Sequence, residues 1–277
     1  MLYPRYWIAL YPDVTKPIGG VKQIHRLVEA LVACGRDACI IQENSSFHPG
    51  WFNSAVKTIS LSDWTRLLPS LDSARDIIIL PETFITSLPT FAPGIKKIIF
   101  NQNGAYTFGL PGYKKVADAS GIMDLYRHPD LLHVLCVSKH DRELLSRGLG
   151  LGVENVSLVV NGIESRTFYP LGVKKQQIAY MPRKNSSHSE VVVEILKCQS
   201  FFNGWNILSI SDCSLLDVAS YLQESLLFLS FGHPEGFGLP VAEALACGCA
   251  VVGYSGLGGK ELFDLASSYQ VGYEVPY

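Results

Sequence analysis

Two glutamates with seven residues between them bracket the segment Glu235-Gly236-Phe237-Gly238-Leu239-Pro240-Val241-Ala242-Glu243, which follows the apolar run Leu226–Ser230. Pro240 suits the first position of a helix, because it has no N–H to lose there. The free amides of Phe237, Gly238 and Leu239 would then converge ahead of that helix, at the end carrying about half a positive charge. A diphosphate fits such a place, and the two glycines would let it approach the backbone closely. Glu243, in the first turn, would be near enough to accept hydrogen bonds from the two hydroxyls of a ribose. Glu235 would face a sugar beyond the diphosphate. The plainer alternative leaves Glu235 solvated and gives Glu243 only the helix dipole to complement, worth about 0.3–1 kcal/mol.

Arg183 and Lys184 lie just beyond the apolar run Ile178–Met181 and would aim two cations at the same diphosphate. Each charge-assisted hydrogen bond contributes about 1.5–3 kcal/mol, and arginine suits bidentate phosphate recognition. Two solvated loop cations are the competing reading. Gly19-Gly20 separates the first strand from the first helix, so its amides could meet a phosphate or a reacting sugar; a bare tight turn explains the same pair. No Gly-x-Gly-x-x-Gly fingerprint occurs there. Gln102 and Asn103, at the end of another apolar run, could hydrogen-bond sugar hydroxyls but could not act as bases, and an Asn-Gly turn accounts for them equally. His233, before Pro234-Glu235, is a candidate donor contact, whereas His25 reads as a helix-surface residue and His188 as the mark of a helix start. Ser211-Asp212-Cys213-Ser214 closes a further strand, where Asp212 or Ser214 also suits a helix N-cap.

These residues need a scaffold that collects strand ends. Short apolar runs alternate with helix-period segments, the pattern of a parallel sheet with crossover helices. The expected strands are 7–11, 38–42, 77–80, 97–101, 134–138 and 157–160, then 178–181, 207–210, 226–230 and 250–253. Between the first two, Ile24, Leu27, Val28 and Leu31 form one helical stripe that Gly35 ends. Later helices are expected near 189–199, 214–224, 240–247 and 259–266. Asn161-Gly162 and Pro170-Leu171-Gly172 place a boundary near residue 170, giving two α/β domains, 1–170 and 171–277. Another strand, 272–275, precedes Tyr277, an ending expected of a small domain or of one that has lost its last part. Ligands of open α/β sheets bind beyond the carboxyl ends of the strands, so two facing sheets would form a cleft.

Composition narrows the function class. The 277 residues are 48% apolar, enough for two buried sheets, and the net charge of −2 lacks the basic excess of a general nucleic-acid binder. No run approaches the roughly 20 apolar residues of a membrane span, and Met1 opens no signal-peptide pattern, so a cytoplasmic protein is expected. The seven cysteines are scattered and read as buried thiols; Cys247-Gly-Cys249 lacks a second ligand pair for zinc.

The segment Glu235 to Glu243 resembles the two-glutamate motif of family 4 glycosyltransferases, retaining enzymes of the GT-B fold. The likeness extends to 12–21, 136–142 and 161–170 and so touches most of the chain. It implies two Rossmann-like domains facing across a cleft, the first on the acceptor side and the second binding the nucleotide sugar. It implies that Glu235 contacts the donor sugar and supports catalysis, that Glu243 binds the ribose, and that Arg183 and Lys184 neutralise the leaving diphosphate. Gly19 and Gly20 match the family's N-domain glycine loop, Asn103 lies where relatives present a histidine, and Ser211 and Asp212 match the region holding the base. Adjacency of Arg183 and Lys184 departs from the family, which spaces them by several residues. Tyr180-Met181-Pro182-Arg183-Lys184 is similar to a bacterial, cyanobacterial-type subgroup that builds exopolysaccharide or heterocyst envelope polysaccharide.

The expected activity is therefore transfer of a hexose, with glucose from UDP-glucose the leading choice, to a lipid-linked sugar or a growing glycan. No Asp-x-Asp occurs, so no metal or other cofactor is expected. Lys96, Lys97, Lys114 and Lys115 offer a peripheral contact with the inner face of a membrane, although solvated loop charges explain them too. Two rivals stand: an NAD-dependent oxidoreductase, since fold alone fixes no function, and a nucleotide-sugar-binding partner subunit without turnover.

Overall fold

Strands covered by helices on both faces need long apolar runs, and the central strands here carry them, as in 77–80 of the first sheet and 226–229 of the second. The structure, a computed structural model, describes residues 3–10, 12–108, 119–265 and 268–270. Its chain divides into two compact units, residues 1–137 with 141–160, and 138–140 with 161–277. The division falls ten residues before the boundary read from the sequence. Residues 161–170 go with the second unit because Phe168 is buried and the Thr167 carbonyl accepts a hydrogen bond from Gln223.

The first unit runs β1 (Arg5–Ala9), α1 (Gly19–Ala33), β2 (Asp37–Gln42), β3 (Thr58–Ser60), α2 (Leu61–Leu67), β4 (Asp76–Pro81), β5 (Lys96–Asn101), α3 (Ala119–Leu125), β6 (Leu131–Cys136), α4 (Lys139–Glu143) and β7 (Val156–Leu158). Its seven strands lie in the order β3-β2-β1-β4-β5-β6-β7, all parallel. Alternate residues divide between the faces. Trp7, Cys39, Ile41, Ile78, Leu80, Ile99 and Val134 pack with Trp64, Ile122 and Tyr126, while Ile24 and Val28 of α1 are buried as its stripe predicted. The order reverses direction at β1, which sets the carboxyl ends of β1 and β4 at a topological switch point.

The amino ends of the same strands carry an ion pair of a half-buried arginine and a buried carboxylate. Both Asp76 oxygens accept from Arg5, at 2.7 and 2.6 Å, and the carboxylate also takes the Trp7 indole N–H and the Asp72 amide. Burial pushes this carboxyl up, but the hydrogen bonds from Arg5, Asp72 and Trp7 outweigh it and hold the group below the usual range. Asp76→Ala would take the acceptor from four N–H donors and should cost about 3–5 kcal/mol. Urea unfolding followed from pH 7 downward would test this: the midpoint should drop at unchanged slope, and the mutational difference should shrink as acid protonates wild-type Asp76. A depressed folded pKa contributes its stability above the ordinary carboxylate range and loses it as pH falls through the folded value. An unchanged midpoint at pH 7 would remove Asp76 from the fold's supports.

The second unit runs β8 (Lys175–Tyr180), α5 (Ser186–Lys197), β9 (Asn206–Ser209), α6 (Leu215–Glu224), β10 (Ser225–Ser230), α7 (Leu239–Ala246), β11 (Ala250–Gly253), α8 (Lys260–Phe263) and β12 (Ser268–Gln270). The sheet order is β12-β11-β10-β8-β9, again parallel, so the chain loops after β8, β9, β10 and β11 share one edge. Ser214 caps α6 by a reciprocal box with Asp217, which settles the N-cap there. Strands β3 and β12 and helices α2, α3 and α4 were not anticipated. The expected strand at 272–275 lies outside the described residues. Among the described residues no helix is long and apolar enough to cross a membrane.

Candidate functional site

The loop between β10 and α7 owes its shape to a second loop. Glu235 donates its amide to the Gly256 carbonyl at 2.7 Å, and its own carbonyl accepts from the Gly258 amide at 3.0 Å. The two backbones touch so closely that a Cβ on Gly258 would stand 1.9 Å from the Gly236 oxygen. The run from Gly256 to Gly259, which sequence reasoning passed over, therefore holds Glu235 and Gly236 in place. Its signal was a glycine-rich turn directly after an apolar strand.

Gly238 is the N-cap of α7, with φ 85 and ψ 53, a left-handed conformation that glycine adopts without strain. Helix α7 begins at Leu239, so Pro240 occupies its second rather than its first position, where an amide also has no helical acceptor. The same offset moves Glu243 into the second turn, and its side chain is buried, which excludes the exposed dipole-complementing role. Among the described residues the amides of Phe237, Gly238 and Leu239 donate to no acceptor. Phe237 itself is 7% exposed. Three amides without an acceptor among the described residues, at the start of an eight-residue helix, are suited to an anion.

The loop after β8 comes to the same place. The Lys184 ammonium bonds the Glu235 carboxylate at 2.9 Å and the Pro234 carbonyl at 2.6 Å. Asn185, in the left-handed region at φ 56, donates through its side chain to the carbonyls of Phe231 and His233 at 2.8 and 3.3 Å. These bonds pin the β8–α5 loop to the β10–α7 loop. Arg183 is exposed and has no polar partner among the described residues. Burial, then the Lys184 charge, lowers the His233 pKa, while Glu235 opposes them. His188 sits in the first turn of α5, its Nδ1 3.3 Å from the Tyr254 hydroxyl. Ser211 and Asp212 are exposed beyond β9, next to the β8 loop along the edge, with Asp212 left-handed at φ 50.

The candidates of the first unit behave less uniformly. Gly19 and Gly20 open α1, whose N-cap Ile18 supplies no side-chain bond. The Gln102 side chain donates to the Gly20 carbonyl at 3.3 Å. Asn103 is buried and its Oδ1 caps the Ala105 amide at 3.1 Å, the local turn role open to it from sequence. His25 is not a helix-surface residue: it is 1% exposed, its Nδ1 3.0 Å from the Ser54 hydroxyl, and burial, aided by His48, lowers its pKa to about 4. Lys97 is no surface cation either. It is fully buried and bonds the Asp130 carboxylate at 3.1 Å and the Ala92 carbonyl at 2.8 Å. Lys96 is exposed, and Lys114 and Lys115 lie outside the described residues. Of the cysteines, Cys39, Cys136, Cys247 and Cys249 are buried as expected, but Cys34 and Cys198 cap helix ends and are exposed.

No family model matches the chain. It is similar to an alpha-1,6-glucosyltransferase of Actinobacillus pleuropneumoniae serotype 7 (strain AP76), with 28% identity over 192 residues, 66% of this chain and 54% of that protein. The chain thus spans about half the length of this curated relative. Among solved structures, sucrose-phosphate synthase from Thermosynechococcus elongatus gives a TM-score of 0.64 at 14% identity, covering 97% of this chain and 86% of that one. A glycosyltransferase from Rickettsia africae ESF-5 gives 0.64 at 13% identity, over 97% and 84%. The catalytic domain of starch synthase IV from Arabidopsis thaliana, bound to ADP and acarbose, gives 0.54 at 14% identity, over 98% and 88%. These neighbours share the GT-B fold, and the chain has it too.

Proposed function

We propose that the chain is a retaining, metal-independent glucosyltransferase that takes glucose from UDP-glucose and passes it to a glycan or lipid-linked sugar in the synthesis of envelope or exported polysaccharide. The observation that carries this reading is the trio of unsatisfied amides at Phe237, Gly238 and Leu239 beside the Glu235–Lys184 pair. A diphosphate suits the amides, and Arg183, exposed and without a polar partner among the described residues, suits its outer oxygens. The glucosyl group and its α linkage come from the similar protein named above; solved alpha-glucosyltransferase structures with UDP-glucose, at 11% identity, support the donor.

Each group then has a task. The amides, the dipole of α7, Arg183 and Lys184 would take up the charge that develops on the departing UDP, the work a metal ion does elsewhere. Glu235 would orient the glucose and meet the positive charge that grows on its ring. Glu243 would hold the ribose, and Ser211 and Asp212 would flank the base. Gly19 and Gly20, at the start of α1, would serve the acceptor within the first unit. With UDP-glucose α-configured and the product α-linked, the acceptor hydroxyl enters from the face that UDP leaves.

Calorimetric titration with UDP and UDP-glucose in the presence of a chelator tests the reading. Micromolar binding of both is expected, and Arg183→Ala should weaken each by about 10–150-fold, the equivalent of one charge-assisted hydrogen bond. Because Arg183 is exposed and makes no polar contact among the described residues, the variant should melt with the wild type. Absence of binding by UDP, GDP and ADP alike would overturn the proposal.

A further inference from the structure

A second group of buried polar side chains lies at the carboxyl edge of the first sheet and has no part in the donor site. Glu82 follows β4 directly and is 4% exposed. Its Oε2 accepts the Gln102 amide at 3.1 Å, and the carboxylate also takes hydrogen bonds from the amides of Asn103 and of Glu82 itself. Gln102 in turn reaches the Gly20 carbonyl with its side chain at 3.3 Å. The turn that follows is held from the other side, where a Cβ on Gly104 would stand 2.7 Å from Oδ1 of the buried Asp141. Asn101 ties the end of β5 to Thr107 at 3.0 Å and to the Tyr126 hydroxyl at 3.5 Å. An acid immediately after an apolar strand is the sequence signal for this cluster.

We propose that Glu82 is a positioning residue whose ionised carboxylate grips the amides of Gln102 and Asn103 and so sets Gln102 against Gly20, the start of the acceptor-side helix. This role rests on the transfer reaction proposed above. A glutamine would fill the same space with the same hydrogen-bonding length, but a carboxylate binds backbone amides about twice as strongly as a neutral acceptor. The titratable groups facing Glu82 are Asp141, from α4, and Tyr126, from the turn behind α3. Neither compensates a negative charge. Burial therefore pushes the Glu82 carboxyl up to about 7; Asp141 acts in the same sense, and the amides of Gln102, Glu82 and Asn103 oppose it.

Two properties then move in opposite directions with pH. A folded pKa raised above the ordinary carboxylate value contributes stability that is complete below that value and is lost as pH rises through about 7. The grip on the amides grows over the same interval, because it belongs to the ionised form. The fold gives up stability at pH 8 in exchange for a fixed loop, a trade that a purely structural glutamate would not show.

The test compares wild type with Glu82→Gln between pH 5.5 and 8, reading melting temperature, hydrogen exchange at the Gln102 and Asn103 amides corrected for intrinsic rate, and kcat/KM for glucosyl transfer. At pH 5.5 the two proteins should differ least. At pH 8 the variant should melt several degrees higher, exchange those amides about tenfold faster and transfer about tenfold less efficiently. Wild type alone should lose protection at both amides as pH falls through about 7, which keeps the test decisive if the variant fails to fold. Protection independent of pH in wild type, or a variant that melts lower at pH 8 with unchanged exchange, overturns the assignment. If wild type transfers no glucose at any pH, the transferase reading fails while exchange and melting still decide Glu82.

Discussion

Gly258→Ala is expected to abolish measurable UDP binding. The added Cβ would stand 1.9 Å from the Gly236 oxygen and 2.7 Å from the Glu235 oxygen, both backbone atoms with no freedom to rotate away. The two loops would have to separate by more than 1 Å, judged against ordinary non-bonded contacts of about 3.5 Å. That movement breaks the bond from the Gly258 amide to the Glu235 carbonyl and displaces the adjoining amides of Phe237 and Gly238. Losing two or three charge-assisted hydrogen bonds of about 1.5–3 kcal/mol each raises a micromolar Kd by at least about 100-fold, and past the millimolar range once the loss exceeds about 4 kcal/mol. Gly162→Ala is the control, since a Cβ there meets nothing within 4 Å. Calorimetry should detect UDP binding to the control and none to Gly258→Ala. Equal affinity in the two would mean that the β10–α7 loop is not where the diphosphate sits.

The fold was legible because its central strands are apolar on both faces, and β1, β2, β4, β5, β10 and β11 all appear within two residues of the runs that announced them. Strands β3 and β12 have three residues each and lie at sheet edges, too short for any period to show. The errors at single residues share one cause, a partner far away in sequence. Lys97 reads as a surface cation until Asp130, 33 residues on, neutralises it in the core. His25 falls off the apolar stripe of α1, but the segment carrying Phe52 and Ser54 folds over it. The shape of the β10–α7 loop was legible in kind, since its glycines and proline announce a turn into a helix. Its restraint by Gly256 to Gly259, and the meeting of Lys184 with Glu235, depend on which strands become neighbours. Strand order is a property of the whole sheet, and no local pattern carries it.

Glu235→Gln should leave UDP affinity nearly intact and reduce glucosyl transfer by about 10²–10³, equivalent to about 3–4 kcal/mol in the barrier. The amide keeps the size of the side chain, so the backbone bonds to Gly256 and Gly258 survive. Its loss is the negative charge, which touches two things. Lys184, now 2.9 Å from a carboxylate, would be released from that pair and free to turn wholly to the diphosphate, so ground-state binding of UDP should hold or tighten. The sugar, in contrast, develops positive charge only as its bond to UDP breaks, and a neutral amide cannot answer it. An effect on kcat with little on UDP binding is the mark of an interaction made in the transition state. Adding Lys184→Ala should then cost less in the Glu235→Gln background than in wild type, because the two charges act as a pair. Turnover within a factor of two of wild type would remove Glu235 from the reaction and leave it the single task of neutralising Lys184.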